Sequence, residues 1–462
     1  MTRRLFLAAA AASPVSRRVL AAETPFDPAR EMSAILDRIR PPQFPDRVFD
    51  ITRYGARPGN RMSGDAIRQA IDACSQAGGG RVVVPAGEFL TGPIHLKSNV
   101  NLHLEKDATL RFSTDAADYL PLVFTRWEGT ECMNYSPLIY AFDETGIAVT
   151  GEGTLDGQAD LDHWWFWKGN ARFKKAGAPN QIKARNALMA AGDNDVPVEK
   201  RVYGEGAYLR PPFVQPYRST NVWIEGVTIR NSPFWELNPV LCRNVTVRNV
   251  TIVSKGPNND GCDPESSTDV LVEGCDFTTG DDCIAIKSGR NRDGRRLHVP
   301  TANLIIRNCR MRDGHGGVSL GSELSGGIRN VFVENCRMDS PDLERALRIK
   351  TNSYRGGEVE NIYFRNNTVG QVSEAVIEVD YFYEEGKGGP FHPVVRNVVV
   401  ENVTSKRSKQ ALFFRGFPDA PIDGVRVAHC NFENAAEANV FQDVAGVTLD
   451  DVMVNGKKVR SE

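Results

Sequence analysis

Three stretches of the chain, NVWIEGVTI at 221–229, NVTVRNVTI at 244–252 and DVLVEGCDF at 269–277, share one pattern of alternating apolar side chains. Five further copies begin at residues 303, 330, 361, 397 and 424. Such alternation is typical of strands with one buried face. The distance between copies varies from 23 to 36 residues while the strand pattern stays constant, which indicates stacked coils with turns of different length. Helical patterns do not separate the copies, so we predict an all-β, single-stranded parallel β-helix.

Aligning the copies predicts which residues stack on one another, because neighbouring strands lie about 4.8 Å apart. One aligned position alternates in charge along seven coils and predicts a ladder of opposite charges: Glu225, Arg248, Glu273, Arg307, Glu334, Arg365 and Glu401. The next position holds asparagine or glycine in most coils, residues that tolerate a left-handed corner. The position after it exchanges cysteine with valine, which favours buried free thiols and leaves a disulfide between coils open.

The two ends of the pattern suggest the domain organisation. The N-terminal MTRRLFLAAAAASPVSRRVLAAETP has paired arginines, an apolar run and a small-residue cleavage segment, so we predict an export signal over 1–22 that resembles the twin-arginine type. Residues 23–462 then form a single β-helix domain, with an N-terminal capping helix at 64–77 and a loop insertion at about 159–218. We expect an exported protein, periplasmic or secreted, that is monomeric.

Composition narrows the partners. Of 462 residues 25% are charged, yet the formal net charge is only -2, which argues against a nucleic-acid binder. The chain has no apolar stretch long enough to span a bilayer, so we expect no membrane contact in the mature form.

The same alignment places chemically active side chains on one face. Asp281 and His315 each lie 12 residues after their coil starts, so they should occupy adjacent coils. Asp260, Arg348 and Lys350 lie 16, 18 and 20 residues after theirs, differences that loop insertions would absorb. We therefore predict three carboxylates, an imidazole and two cations on one exposed face.

This combination suits the cleavage of a glycosidic bond. That reaction needs a protonated carboxyl for the leaving oxygen and a carboxylate that activates water or attacks. Because Asp281 and Asp282 are crowded together, ionising both is unfavourable, so the pKa of one of them should be raised and that carboxyl should stay protonated. Arg348 and Lys350 are two apart on a strand, so both leave the same face, where a fork and a point charge suit a substrate carboxylate.

Four motifs in this order, PNNDG at 257–261, GDDCIAIKSG at 280–289, GHGG at 314–317 and RIK at 348–350, resemble the signature of the polygalacturonase family of glycoside hydrolases, family 28. The resemblance covers roughly residues 45–455. Asn259 departs from it, since the commonest form has Thr before the aspartate. TRWEGTECMNYSPLIYA at 125–141 and GRNRDGRR at 289–296 further resemble bacterial, exo-acting members.

The resemblance implies a right-handed β-helix that hydrolyses α-1,4 bonds between galacturonic acid units of pectin, with inversion and without a metal or other cofactor. Asp281 would be the general acid, while Asp260 and Asp282 would activate water, and we expect an acid-to-base separation of roughly 6.5–9.5 Å. His315 would hydrogen-bond Asp281 or the substrate. The substrate-binding residues would be Asn258, Arg348, Lys350 and one or both of Tyr381 and Tyr383.

Other readings stay open. A related hydrolase could act on rhamnogalacturonan or another decorated pectin. Aspartate clusters on β-helices also bind calcium, as in pectate lyases, and a carbohydrate-binding β-helix without catalysis could share the fold. Trp164, Trp165, Phe166 and Trp167 could serve loop packing or sugar stacking equally well, and Trp235 with Asn238 could extend the binding cleft.

Overall fold

The computed structural model describes residues 27–460, so the predicted export signal lies outside the described residues. The chain winds into a right-handed parallel β-helix, which confirms the predicted fold. Three parallel sheets run along its length, and most coils contribute one strand or a short bridge to each sheet.

The first and second sheets follow directly from the repeat. The strands of the first sheet are Val48–Asp50, Gly80–Val84, Val100–Leu104, Thr145–Gly151, Thr220–Glu225, Arg243–Arg248, Thr268–Glu273, Thr301–Arg307, Ile328–Glu334, Glu358–Arg365, Val394–Glu401, Ile422–Phe432 and Thr448–Val454. Those of the second are Gly59–Met62, Gly87–Thr91, Ala108–Phe112, Thr154–Asp156, Thr228–Arg230, Thr251–Ser254, Asp276–Thr279, Arg310–Arg312, Arg337–Met338, Thr368–Gln371 and Thr404–Arg407. Ile422–Phe432 also closes the second sheet, and the short strands Val444–Ala445 and Lys457–Val459 end the stack.

The third sheet carries the side chains that matter below. Its strands are Ile94–His95, Ile139–Phe142, Val214–Tyr217, Ile284–Ile286, Val318–Gly321, Leu347–Lys350, Ala375–Asp380, Gln410–Arg415 and Val440–Gln442. Single bridges at Leu237 and Cys262 connect Val214–Tyr217 to Ile284–Ile286. A separate antiparallel hairpin, Val123–Trp127 with Thr130–Asn134, stands beside this sheet.

The predicted columns are confirmed. Glu225, Arg248 and Glu273 pair in register, and Arg248 lies 3.7 Å from Glu225 and 3.0 Å from Glu273. The asparagines of the corner position have positive φ, for example 52° at Asn249 and 56° at Asn308. All nine cysteines are free and buried, so the thiol interpretation is confirmed over the disulfide. The alignment therefore reports true spatial neighbours.

Two helices cover the solenoid, one at its N-terminal end and one on its side. The helix α1 spans Pro28–Arg38 and α2 spans Gly64–Gln76. The α2 helix buries its apolar face against the first coils, as predicted for a cap. The α1 helix was not predicted: Ile35 is fully buried on an outward apolar stripe of the first sheet that includes Ile305 and Phe332. Residues just after the predicted export signal thus cover the outside of the solenoid.

The insertion is more ordered than a loop. It contains the helix α3 at Ile182–Asp193 and short 3-10 turns at Trp165–Lys168 and Val198–Lys200. The α3 helix packs against the hairpin and against α4, at Asn291–Leu297. Further 3-10 turns lie at Ile51–Tyr54 and Ala116–Tyr119. Within residues 27–460, every helix is too short or too polar to cross a bilayer.

Candidate active site

A cleft of about 1070 Å³ lies over the outer face of the third sheet. Its floor comes from consecutive coils, through Asp260, Asp281, Lys287 and Lys350. Its walls come from outside the repeat: the insertion, the hairpin turn at Glu128 and the segment after Ala375–Asp380. The repeat thus supplies the floor, and the irregular segments enclose it.

Parallel stacking brings the predicted carboxylates together. Ile284 pairs with Val318, so Asp281 and His315, three residues before each, are level on neighbouring coils. His315 Nδ1 lies 2.9 Å from Asp281 Oδ1, which confirms the predicted contact. One oxygen from each of Asp260, Asp281 and Asp282 lies within 4.8 Å of the others. These closest oxygens are nearer than the expected acid-to-base separation, because coils stacked one strand apart hold their side chains close.

The predicted exposure of this face is confirmed for His315, which is exposed, and is wrong for two of the three carboxylates. Asp260 is 2% exposed and Asp282 is fully buried. Asp282 accepts hydrogen bonds from Ser319 Oγ at 2.7 Å and from Lys350 Nζ at 2.6 Å. Lys287 Nζ lies 3.6 Å from Asp260. The carboxylates therefore lie at the bottom of a walled cleft with cations beside them.

These cations reverse one expectation about protonation. Burial raises the pKa of Asp281, but His315 and Lys350 outweigh it and hold that pKa below its usual value. Burial, together with the charges of Asp281 and Asp263, raises the pKa of Asp260 well above its usual value. Asp281 in turn raises the pKa of His315 to about 9. In the free protein these shifts favour protonation at Asp260 and an ionised Asp281 beside a charged His315.

Arg348 and Lys350 do leave one face of Leu347–Lys350, as predicted, but they are not free cations. Arg348 Nε donates to Glu378 at 3.2 Å, and Lys350 pairs with Asp282. Both residues are buried, at 8% and 6% exposure. Their charges are therefore largely committed to protein carboxylates, and a role in binding a substrate carboxylate remains a prediction.

The two candidate tyrosines separate clearly. Tyr381 is fully buried in the core, where its hydroxyl accepts a hydrogen bond from the Val395 N–H at 2.9 Å, so its placement in the cleft is wrong. Tyr383 lines the cleft, and its ring lies 5.4 Å from Lys350 Nζ. Tyr383 lies beyond the end of the strand Ala375–Asp380, in a turn that extends over the cleft.

Asn258 and Asn259 position the loop that carries Asp260. Asn258 lines the cleft, and its Oδ1 accepts hydrogen bonds from Lys168 Nζ at 2.7 Å and Arg210 Nη2 at 2.9 Å. Asn259 is buried and bonds across the preceding coil, with Nδ2 donating to the carbonyls of Ser232 and Phe234. The departure from the family motif at Asn259 is therefore a structural tie between coils.

The aromatic candidates fall into two groups. Trp164 is 2% exposed and packs edge-on against Tyr119 at 5.5 Å, and Trp165 Nε1 donates to the Ser232 carbonyl, which favours loop packing. Trp235 does line the cleft, with Lys287 Nζ 4.5 Å above its ring. Asn238 is buried beneath the surface, where it bonds Gln215 and the Asp263 carbonyl.

Several cleft residues were missed by sequence reasoning. From the insertion they are Lys168, Asn170, Arg172, Phe173 and Arg185, and from other segments Glu128, Ser322, Glu323 and Glu384. The insertion has no repeat register, so no alignment could place it. Lys287 could have been found, because it is the outward residue three positions after Ile284 in a strand already assigned to this face.

The carboxylate cluster also has the composition of a cation site. Asp260, Asp281 and Asp282 each offer an oxygen within a span that a metal ion could bridge. However, Lys350 and Lys287 already place positive charge beside two of them. The charge balance therefore favours direct carboxylate chemistry in this cleft.

Three carboxylates that converge in a cleft fit the chemistry of a glycoside hydrolase, which cleaves its substrate with a pair of carboxyl groups. The profile of glycosyl hydrolases family 28 matches residues 203–455, and the chain belongs to this family. A solved exopolygalacturonase from Thermotoga maritima is 44% identical, with a TM-score of 0.91 over 93% of this chain and 97% of that one.

Two curated relatives agree with this assignment. The exo-poly-alpha-D-galacturonosidase of Dickeya chrysanthemi is 31% identical over 363 residues, covering 74% of this chain and 58% of the relative. A probable polygalacturonase of Vitis vinifera is 29% identical over 419 residues, covering 85% of this chain and 76% of the relative. The family resemblance read from the four motifs is therefore confirmed.

Proposed function

We propose that this glycoside hydrolase cleaves α-1,4 bonds between galacturonic acid units of pectin, acting from a chain end. The observation that carries the proposal is the convergence of Asp260, Asp281 and Asp282 at the floor of a cleft rich in cations. The relatives named exopolygalacturonase and exo-poly-alpha-D-galacturonosidase support the substrate and the mode of action.

In the proposed reaction Asp281 protonates the glycosidic oxygen as the bond to the anomeric carbon breaks. His315 and Asp281 share a 2.9 Å hydrogen bond. In the charged form of this pair the proton is on His315, and in the neutral form it has moved to Asp281. An anionic substrate that displaces water from the cleft favours the neutral pair, because it disfavours further negative charge at Asp281. His315 therefore supplies Asp281 with the proton that it delivers.

The attacking water is activated by the remaining carboxylates. Asp282 is the ionised member in the free protein: burial raises the pKa of its carboxyl, but the charges of Lys350, Arg348 and His315 together outweigh burial and lower it. Asp260 and Asp282 are level on neighbouring coils, so a water between them can be oriented by both. Attack by this water gives inversion at the anomeric carbon. Since the carboxylate oxygens are closer than the usual inverting pair, NMR detection of the first-formed anomer tests this step: an initial α-anomer contradicts it.

Action from a chain end is supported by the walls. Lys168, Arg172 and Arg185 of the insertion line the cleft together with Asp281, and so does Glu384 from the segment after Ala375–Asp380. A cleft closed in this way accepts a terminus more readily than the middle of a polymer. Incubation with polygalacturonate should release monomer or dimer while viscosity barely falls, and a rapid loss of viscosity contradicts exo action.

The same incubation separates the alternatives. Products with reducing ends and no ultraviolet-absorbing unsaturated sugar, formed equally with and without chelator, support hydrolysis. Unsaturated products that disappear with chelator would instead support calcium-dependent elimination at the Asp260, Asp281 and Asp282 cluster. Rhamnogalacturonan and esterified pectin as parallel substrates test the decorated-pectin alternative, and no product from any of them supports a binding protein.

We further propose that residues 1–22 direct export and that residues 23–462 act as a monomer of one domain. The paired arginines and the apolar run motivate the first part. N-terminal sequencing of protein from the periplasm or medium tests it, and a retained Met1 would contradict cleavage. Sedimentation of the purified enzyme tests the second part.

A further inference from the structure

The insertion side of the cleft has cations that protein carboxylates do not neutralise. Lys168, Arg185 and Arg210 lie together there, and the carboxylates that act on them include Glu128 and, from the floor, Asp281. Glu128 Oε2 is committed to Arg185 Nε, at 2.6 Å. Among residues 27–460, neither Lys168 nor Arg210 forms an ion pair. This wall therefore has a surplus of positive charge.

Arg210 is an unusual buried charge. It is fully buried, and its guanidinium donates only to neutral acceptors: the carbonyls of Pro233 and Pro257, Gln181 Oε1 and Asn258 Oδ1. Burial lowers the pKa of Arg210 to about 9. A buried cation is costly unless it is paired. Its charge is thus stabilised by dipoles and has no carboxylate within ion-pair distance among the described residues, while Glu128, Asp281 and Asp260 act on it from farther away.

Lys168 brings this charge to the cleft surface. Its Nζ donates to the same Asn258 Oδ1 that accepts from Arg210, so two cations converge on one amide oxygen. Lys168 lines the cleft together with Asp281, whereas Arg210 lies behind it. An ammonium has three donors, and only one of those of Lys168 is used by Asn258. The others are available to a ligand in the cleft.

The floor differs from this wall. Lys350 is paired with Asp282, Lys287 lies near Asp260 and Glu323, and Arg348 is paired with Glu378. A carboxylate entering the cleft would have to compete with these protein carboxylates for the floor cations. At Lys168 it would meet a positive charge on which Glu128 and Asp281 act only from beyond ion-pair distance.

We propose that Lys168, supported by Arg210 through Asn258, binds the carboxylate of the terminal galacturonate and makes the enzyme select an acidic chain end over an esterified one. The inference rests on the proposed function, since it names the group that reads the terminal sugar. Lys168 belongs to the insertion, so the segment that encloses the cleft also recognises the carboxylate of the terminal sugar.

Competitive inhibition by monomers tests this directly. Galacturonate and its methyl ester differ in the carboxylate charge, and each is measured as an inhibitor of trigalacturonate hydrolysis. Loss of one charge-assisted hydrogen bond should weaken galacturonate by about 10- to 100-fold in Lys168→Met, while inhibition by the ester stays unchanged. Lys168→Arg should restore most of the selectivity, because it keeps the charge.

The control is Lys174→Met, which makes the same substitution on an exposed lysine of the same insertion. It should leave both inhibition constants unchanged. If Lys168→Met weakens galacturonate and its ester equally, or neither, the inference is wrong although the enzyme still cleaves galacturonan. If the wild-type enzyme neither cleaves galacturonan nor is inhibited by galacturonate, the proposed function fails together with the inference.

Discussion

Replacing Lys350 with Met should reveal how much the floor of the cleft depends on one buried ion pair. Lys350 Nζ lies 2.6 Å from Asp282 Oδ2, and the Asp282 side chain is 0% exposed. Removing one partner of such a pair leaves a buried charge uncompensated, which costs about 3–5 kcal/mol. Unfolding entropy scales to about 0.9 kcal/mol per K for a chain of this length. We therefore expect the Tm to fall by roughly 3–6 °C at pH 7.

The pH dependence distinguishes this cause from lost packing. In the wild type the lowered pKa of Asp282 contributes stability above the unfolded value of about 3.9, and that stability is lost as pH falls through the folded pKa. Without Lys350, burial places the folded pKa above the unfolded value, so stability is lost as pH rises. The Tm difference should thus shrink between pH 7 and pH 4.

Thermal unfolding followed by circular dichroism at both pH values measures this. Lys409→Met is the matched control, because Lys409 forms an exposed pair with Glu374, and its Tm should change by less than about 1 °C. A Tm difference for Lys350→Met that is the same at both pH values, or no larger than that of the control, would refute the reasoning.

Three further predictions concern the acid, the histidine and the outer helix. Asp281→Asn should lower kcat by about 10²- to 10⁴-fold with the Tm retained, whereas Asp269→Asn, at a coil start, should leave kcat unchanged; an active Asp281→Asn overturns the acid assignment. Because Asp281 raises the pKa of His315 to about 9, the charged form persists below that pH, and kcat/KM should fall as pH rises through it; His315→Gln should lack this limb, and an identical limb in the variant contradicts the assignment. Ile35→Ala should destabilise the fold by about 2–4 kcal/mol without changing kcat, and an unchanged Tm would mean that α1 does not support the first sheet.

The repeat made much of this molecule predictable. Residues at equal offsets in stacked coils are neighbours, so the charge ladder at Arg248, the corner at Asn249 and the contact between Asp281 and His315 all follow from counting. The asparagines that open the coils add a ladder that was not predicted: Asn330 Nδ2 donates to Asn303 Oδ1 at 3.0 Å. Its positions were visible in the alignment, but its hydrogen bonds depend on side-chain orientation.

Other features could not be obtained by counting. The helix α1 packs on an outward apolar stripe that includes Ile305 and Phe332. In the sequence these two residues only interrupt the alternation of apolar and polar positions, so they do not indicate a packing partner. Tyr381 and Tyr383 are two residues apart, so strand alternation predicts that they lie on the same face. Tyr381 is instead buried in the core, and Tyr383 belongs to the turn above the cleft. Lys168 lies in a segment with no register at all.

The sequence by itself determined the β-helix, its register and the set of carboxylates that share a face, because strand alternation and coil offset are encoded locally. Only the tertiary structure decided which charges are neutralised and which remain available. Lys350 forms an ion pair with Asp282, whereas Lys168 forms no ion pair among the described residues. Both outcomes depend on segments that are far apart in the chain and come together in the cleft. Coulomb interactions depend on the separation of the charges and on their burial. Both are set by the folded arrangement of the insertion over the strands and cannot be obtained from the order of residues.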